Sequence, residues 1–175
     1  MRDAATTPVA TPDAKDGRPE SRRDKHLVFQ LADESYGIPL WSVKEVIGIT
    51  EITALPQVPD FFKGLINLRG RIISVIDLRA KMRLPRAPYD RKKTCIIIVE
   101  VQDLMLGAIV DDVQQVARFQ PDQLEANLDV HSPGDQRAVI GVAKTEAKKL
   151  VLLLDLSKVL NAADLLMMRQ QRHAA

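Results

Sequence analysis

The segment Leu27-Val28-Phe29-Gln30-Leu31 recurs seventy residues later as Ile97-Ile98-Val99-Glu100-Val101. The match runs on without a gap. Tyr36-Gly37-Ile38 falls over Leu106-Gly107-Ala108, and Val43 and Val46 fall over Val113 and Val116. The later part of each half matches too, with Gly64 to Leu78 resembling Gly141 to Leu156. There the offset moves from 77 to 78, which fits one extra residue in the turn at Lys144 to Lys149. A chain that repeats itself must bury the same pattern twice, so it predicts two copies of one β-rich unit of about 65 residues. Each copy would hold four or five short strands. Ile72–Ile76 and Leu150–Leu154 are almost wholly apolar; such runs suit strands buried on both faces, or tightly curled barrel strands.

The remaining punctuation is consistent with that unit. Asn67 to Arg71 and Lys144 to Lys149 are polar interruptions of hairpin character, with Gly70 supplying the permissive backbone. After each Asp-Leu the chain reads as one helical turn, Leu78 to Leu84 and Leu156 to Leu160. Asp77 and Asp155 stand at equivalent ends of the two copies, where a carboxylate caps the following turn. Asn161 is placed to cap a final helix, Ala162 to Arg172, with Leu165, Leu166 and Met168 available to pack. Residues 1–25 hold Pro8, Pro12 and Pro19 among mixed charges and small apolar side chains, a composition that predicts a disordered leader. Two small barrels side by side leave a groove, and a groove between lobes is a natural partner site.

Composition narrows the chemistry. One cysteine, Cys95, in 175 residues excludes an internal disulfide framework and any multi-cysteine metal site. Cys95 lies in a β run, where a lone cysteine usually packs as a small apolar filler. The three histidines are scattered at 26, 131 and 173, so neither a metal site nor a cofactor site is expected. The first residues carry no apolar segment of a secretory signal, and apolar runs stop at about five residues, too short to span a membrane. A cytoplasmic protein is the expectation. The adjacent acids Asp111 and Asp112 point apart on a strand or tight turn, unlike the converging carboxylates of acid–base catalysis. Gly64 to Gly70 has glycines without the lysine and hydroxyl of a phosphate loop. No catalytic constellation is present, and no enzyme is expected.

Charge is polarised along the chain. Residues 63–93 hold ten bases against Asp77 and Asp90, while 99–135 hold eight acids against Arg118 alone. A basic face for an acidic partner or nucleic acid is one reading; solvated turns and edge strands guarded by lysine and arginine are the other. Tyr89 is the only ring in 63–93, and single-strand binders normally interleave stacking aromatics, so no nucleic acid is expected. Asn67-Leu68-Arg69-Gly70 is more telling. An arginine beside a glycine at a hairpin is held out rigidly, to meet a partner carboxylate or to pair internally, for instance with Glu45. The two roles are compatible.

Taken in order, these residues resemble the CheW-type chemotaxis coupling proteins over about 27–160. The likeness rests on Leu27-Val28-Phe29, Tyr36-Gly37-Ile38 and Val43-Lys44-Glu45-Val46. Its strongest stretch runs from Phe62 to Arg79, with N-L-R-G, an apolar run and D-L-R at the right spacing. The resemblance implies a mainly β fold of two pseudo-repeated, five-stranded Src-homology-three-like barrels. The corresponding domain is 26–160, with barrels at about 26–92 and 93–160, strand exchange allowed between them, and a helix and tail at 161–175. It implies a non-catalytic adaptor joining the cytoplasmic tip of a chemoreceptor to the regulatory domain of the histidine kinase CheA, within receptor arrays at the inner face of the membrane. By matching, Val43, Glu45 and Arg69 fall on the receptor face, with Val110 and Val113 from the second barrel; Lys63 and Gly64 match a segment implicated in kinase contact. Weak self-association in arrays is compatible with this. The same fold serving a non-motility pathway is the alternative. Ser74 departs from the family's usual proline, and its backbone can donate a hydrogen bond that proline cannot, so this strand is expected to pair differently.

Overall fold

The structure is a computed structural model that describes residues 24–125 and 138–174. The expected leader, apart from Asp24 and Lys25, lies outside the described residues; Lys25 already opens the first strand.

Every repeated sequence segment forms the same element twice. β1 (Lys25–Leu31), β2 (Glu34–Pro39) and β3 (Val43–Gly48) correspond to β6 (Cys95–Val101), β7 (Leu104–Val110) and β8 (Asp112–Arg118). β4 (Phe62–Leu68), β5 (Arg71–Asp77) and the helical turn α1 (Leu78–Lys81) correspond to β10 (Val139–Lys144), β11 (Leu150–Leu154) and α2 (Leu156–Val159). A two-residue strand, β9 (Leu124–Glu125), a final helix, α3 (Ala162–Ala174), and two single 3-10 turns, Leu40–Ser42 and Pro121–Gln123, complete the described elements.

The strands do not stay with their own half. One sheet runs β3-β6-β7-β5-β4 and the other β8-β1-β2-β11-β10-β9. Each repeat therefore lends its opening hairpin to the sheet built from the other repeat's later strands. A boundary at 92/93 divides the repeats but not the sheets. The lent strand enters by parallel pairing, β7 on β5 and β2 on β11. Gly107 and Gly37 sit at those two seams, opposite Val75 and Leu153. A Cβ at Gly37 would lie 3.0 Å from Leu153 across its seam, and one at Gly107 2.7 Å from Ile96 of its own hairpin and 3.4 Å from Val75 across its seam; both glycines allow close packing there.

Both sheets close on themselves. After β3, Thr53 exchanges two backbone hydrogen bonds with Leu65 of β4, each 2.9 Å. After β8, β9 pairs in the same way with Val142 and Ala143 of β10. The six-stranded barrel thus departs from the expected five only because this closure is one residue pair longer. Closure explains the unbroken apolar runs. Ile73 and Val75 face the five-stranded barrel's interior with Ile66, Ile96, Ile98 and Ile109. Val28, Phe119, Ala143, Val151 and Leu153 fill the other barrel. The opposite faces, including Phe29, Ile76, Ile97, Leu106 and Leu154, form one large core between barrels. At about 1.5–3 kcal/mol for each fully buried aliphatic side chain, this shared layer binds the barrels into one body.

The caps hold as the sequence suggests. Asp77 accepts from the Ala80 amide and Asp155 from the Ser157 amide. Asn161 accepts from the Asp164 amide at 2.8 Å while Asp164 accepts from that of Asn161 at 3.0 Å, a reciprocal start to α3. Lys81 reaches Asp164 at 2.6 Å and lies 4.4 Å from the Phe61 ring centroid, which pins the helix to the five-stranded barrel. Leu165 and Met168 pack inward, but Leu166 is 57% exposed; consecutive helix positions sit about 100° apart, so the two leucines cannot share one buried stripe.

Candidate functional site

The N-L-R-G sequence forms the β4–β5 hairpin. Leu68 pairs with Arg71, leaving a two-residue loop in which Arg69 and Gly70 both have positive φ, 51° and 83°. That pair of angles is the primed turn whose twist matches its strands. The Asn67 side chain accepts from the Gly70 amide at 2.8 Å and locks the turn. From this fixed base Arg69 donates twice to Glu45 on β3, at 2.9 and 2.8 Å. The internal pair of the sequence reading is made, and the Arg69 side chain remains 75% exposed. The pair also ties the β4–β5 turn to the opposite edge strand of the same sheet.

β3 and β8 are the outer strands of their respective sheets. Cys95 lies near both: it is registered with Gly48 of β3, and its thiol donates to the Lys93 carbonyl at 3.1 Å. Burial first, then the Asp112 carboxylate, pushes that thiol's pKa up, with the Val113 hydrogen bond opposing. Cys95 is accordingly a protonated filler, not an activated nucleophile. Repeat-equivalent valines stand exposed on the two edges, Val46 at 39% and Val116 at 50%. Apolar side chains on unpaired strand edges, framed by a bidentate ion pair, make a surface suited to docking a protein, not to chemistry.

The expected receptor-facing residues separate into two groups. Glu45, Arg69 and the half-buried Val113 border this surface. Val43 and Val110 do not: both are packed in the core between barrels, Val110 with no exposure at all. Their side chains lie beneath the surface. The β3 bulge between Val43 and Glu45 turns Val43 onto the shared core and leaves Val46 outward. Val46 and Val116 were both visible in the repeat, and strand alternation would have singled them out as the outward pair.

Lys63 and Gly64 lie at a bulge in β4. Gly64 has φ 139°, and a Cβ there would stand 2.0 Å from the Thr53 carbonyl oxygen that closes the barrel. Lys63 borders a small cleft of about 260 Å³ with Asp77, Arg79, Arg86 and Tyr89. A second groove, about 390 Å³, runs between the barrels beside exposed Trp41 and Ile140; neither residue was singled out from sequence, although Trp41 is the chain's only tryptophan.

With this geometry in place, similarity decides the lineage. The CheW-like domain matches residues 25–164. The chain belongs to the CheW-like domain family. It is 29% identical over 146 residues to the chemotaxis protein CheW of Klebsiella aerogenes, covering 83% of this chain and 87% of that one. It is 30% identical over 123 residues to protein PilI of Pseudomonas aeruginosa, covering 70% and 68%. The crystal structure of the scaffolding protein TtCheW from Thermoanaerobacter tengcongensis superposes with a TM-score of 0.73 at 35% identity, covering 81% of this chain and 95% of that one. The CheW-like fold accounts for the paired barrels and for the order of the motifs. No helix among the described residues is long and apolar enough to cross a membrane.

Proposed function

We propose that this protein is an adaptor that couples chemoreceptors to the histidine kinase CheA. The observation that carries the reading is the pair of edge strands β3 and β8, with exposed Val46 and Val116 beside the Glu45–Arg69 pair, in a member of the CheW-like family. The receptor's cytoplasmic tip would lie along these edges, touching Glu45, Arg69 and Val113, with Val43 and Val110 holding the strands in shape from beneath. The kinase regulatory domain would meet the face around Lys63 and Gly64. The protein acts by geometry: it holds receptor and kinase in fixed relation, so that a small receptor shift biases the kinase equilibrium. Individually modest contacts gain strength when many are joined in an array.

The test is calorimetry of Arg69→Ala and Val116→Asp against a receptor signalling-tip hairpin and, separately, a CheA regulatory domain. Both variants should lose receptor affinity by about tenfold and keep the kinase. Equal loss of both partners would return Arg69 to a purely internal role and sink the receptor assignment. The second reading is the same adaptor in a pathway other than swimming. Deleting the gene and scoring swimming against surface motility separates the two.

A further inference from the structure

The connection from α1 to β6, residues 82–94, carries charge that the fold does not use. Arg83, Arg91, Lys92 and Lys93 are exposed, and none has an ion-pair partner among the described residues. The segment is nevertheless held firmly. Arg79 donates to the Pro85 carbonyl at 2.9 Å, and Tyr89 donates to Asp77 at 2.8 Å. Asp90 closes the far end, its carbonyl accepting from the Lys93 and Thr94 amides and its carboxylate from the Lys92 amide. Arg79 is itself anchored through Nε to Asp111 at 2.8 Å.

Arg83 is the sharpest sign. Leu84 donates to the Arg79 carbonyl and Arg83 to that of Ala80, which is the paired-bond termination of a helix. In that motif the residue at Arg83 takes a positive φ, here 57°, and glycine is the usual occupant. An arginine stands where glycine would fit with less strain, and its side chain is exposed, as are those of Arg91, Lys92 and Lys93. Strain retained at one position of a pinned, charged strap points to binding.

We infer that the strap formed by residues 83–93 is a docking surface for an acidic protein segment. The strap offers no ladder of rings for bases, since Tyr89 is its only aromatic and its hydroxyl is engaged. It also offers no large aliphatic side chain beyond half-buried Leu84 to enter a lipid surface. Fixed guanidinium and ammonium groups on a pre-formed backbone suit carboxylates. The inference rests on the strap alone and is independent of the adaptor reading.

Fluorescence anisotropy of the full chain with a labelled oligoglutamate tests it, alongside oligothymidine of equal charge and vesicles containing anionic lipid. The peptide should bind best, with affinity falling as salt rises. Arg83→Gly should weaken peptide binding severalfold while raising the melting temperature by about 2–4 °C, a combination no structural role for Arg83 produces. Neutralising Arg83, Arg91, Lys92 and Lys93 together should cost about tenfold or more, and Lys148→Gln with Lys149→Gln on the other hairpin should cost nothing. Unchanged binding in the fourfold variant, equal loss in the hairpin control, or tighter binding to oligothymidine or vesicles would each overturn the proposal.

Discussion

Two buried polar atoms have no hydrogen-bond partner among the described residues, and each makes a residue a sensitive probe. Ser74 is fully buried in mid-strand, registered with Leu65 and Leu106, and its hydroxyl makes no hydrogen bond among the described residues. Its backbone stands in register with both neighbouring strands while its hydroxyl is left without a partner among the described residues. Ser74→Ala should therefore stabilise by about 1 kcal/mol, read as a higher urea midpoint at unchanged slope; a lower midpoint would mean the hydroxyl finds a partner. His26 is the other. Its Nδ1 is buried without a partner, and its ring lies 5.6 Å from that of Phe119. Burial lowers its pKa below the ordinary 6.5, with the Asp24 carboxylate opposing. The folded state thus resists protonation more than the unfolded one. Stability should be complete above about pH 6.5 and decline as the pH falls below it. Urea titrations of wild type and His26→Phe at neutral and mildly acidic pH check this: the histidine-dependent loss should vanish in the variant. An identical decline in both would remove His26 as its cause.

At the scale of elements, the repeat was legible because turns, caps and apolar runs are local. Asp77, Asp155, Asn161 and Gly70 each do in the fold what their sequence position suggests. The sequence permitted an exchange of hairpins without requiring one, because alternation cannot tell which repeat's strand fills a parallel seam. Val43 and Val110 were expected on the receptor face by matching to the family, and a strand buried on both sides gives no sign of which apolar residue lies beneath the surface. Gly64 tests the closure that makes a sheet into a barrel. Gly64→Ala drives a Cβ against the Thr53 carbonyl and should destabilise by about 3 kcal/mol or more, with lost amide-exchange protection first at Thr53 and Leu65. Full protection there would mean that the closing bridge is dispensable.

The molecule as a whole is one body with two faces. The core shared between the barrels fixes their relation, so a partner on the β3 and β8 edges and another at Lys63 and Gly64 would be held at a set distance and angle. That rigidity is what an adaptor needs, and the sequence showed it only as a count of apolar residues. In the adaptor reading, exposed Val46 and Val116 give recognition a place. The measurement that bears most directly on this is sedimentation of the protein with a receptor signalling-tip hairpin and a CheA regulatory domain, in pairs and all together. The adaptor reading predicts two binary complexes and a ternary complex that forms only when this protein is present. Mutually exclusive binding of the two partners to the folded protein would contradict it.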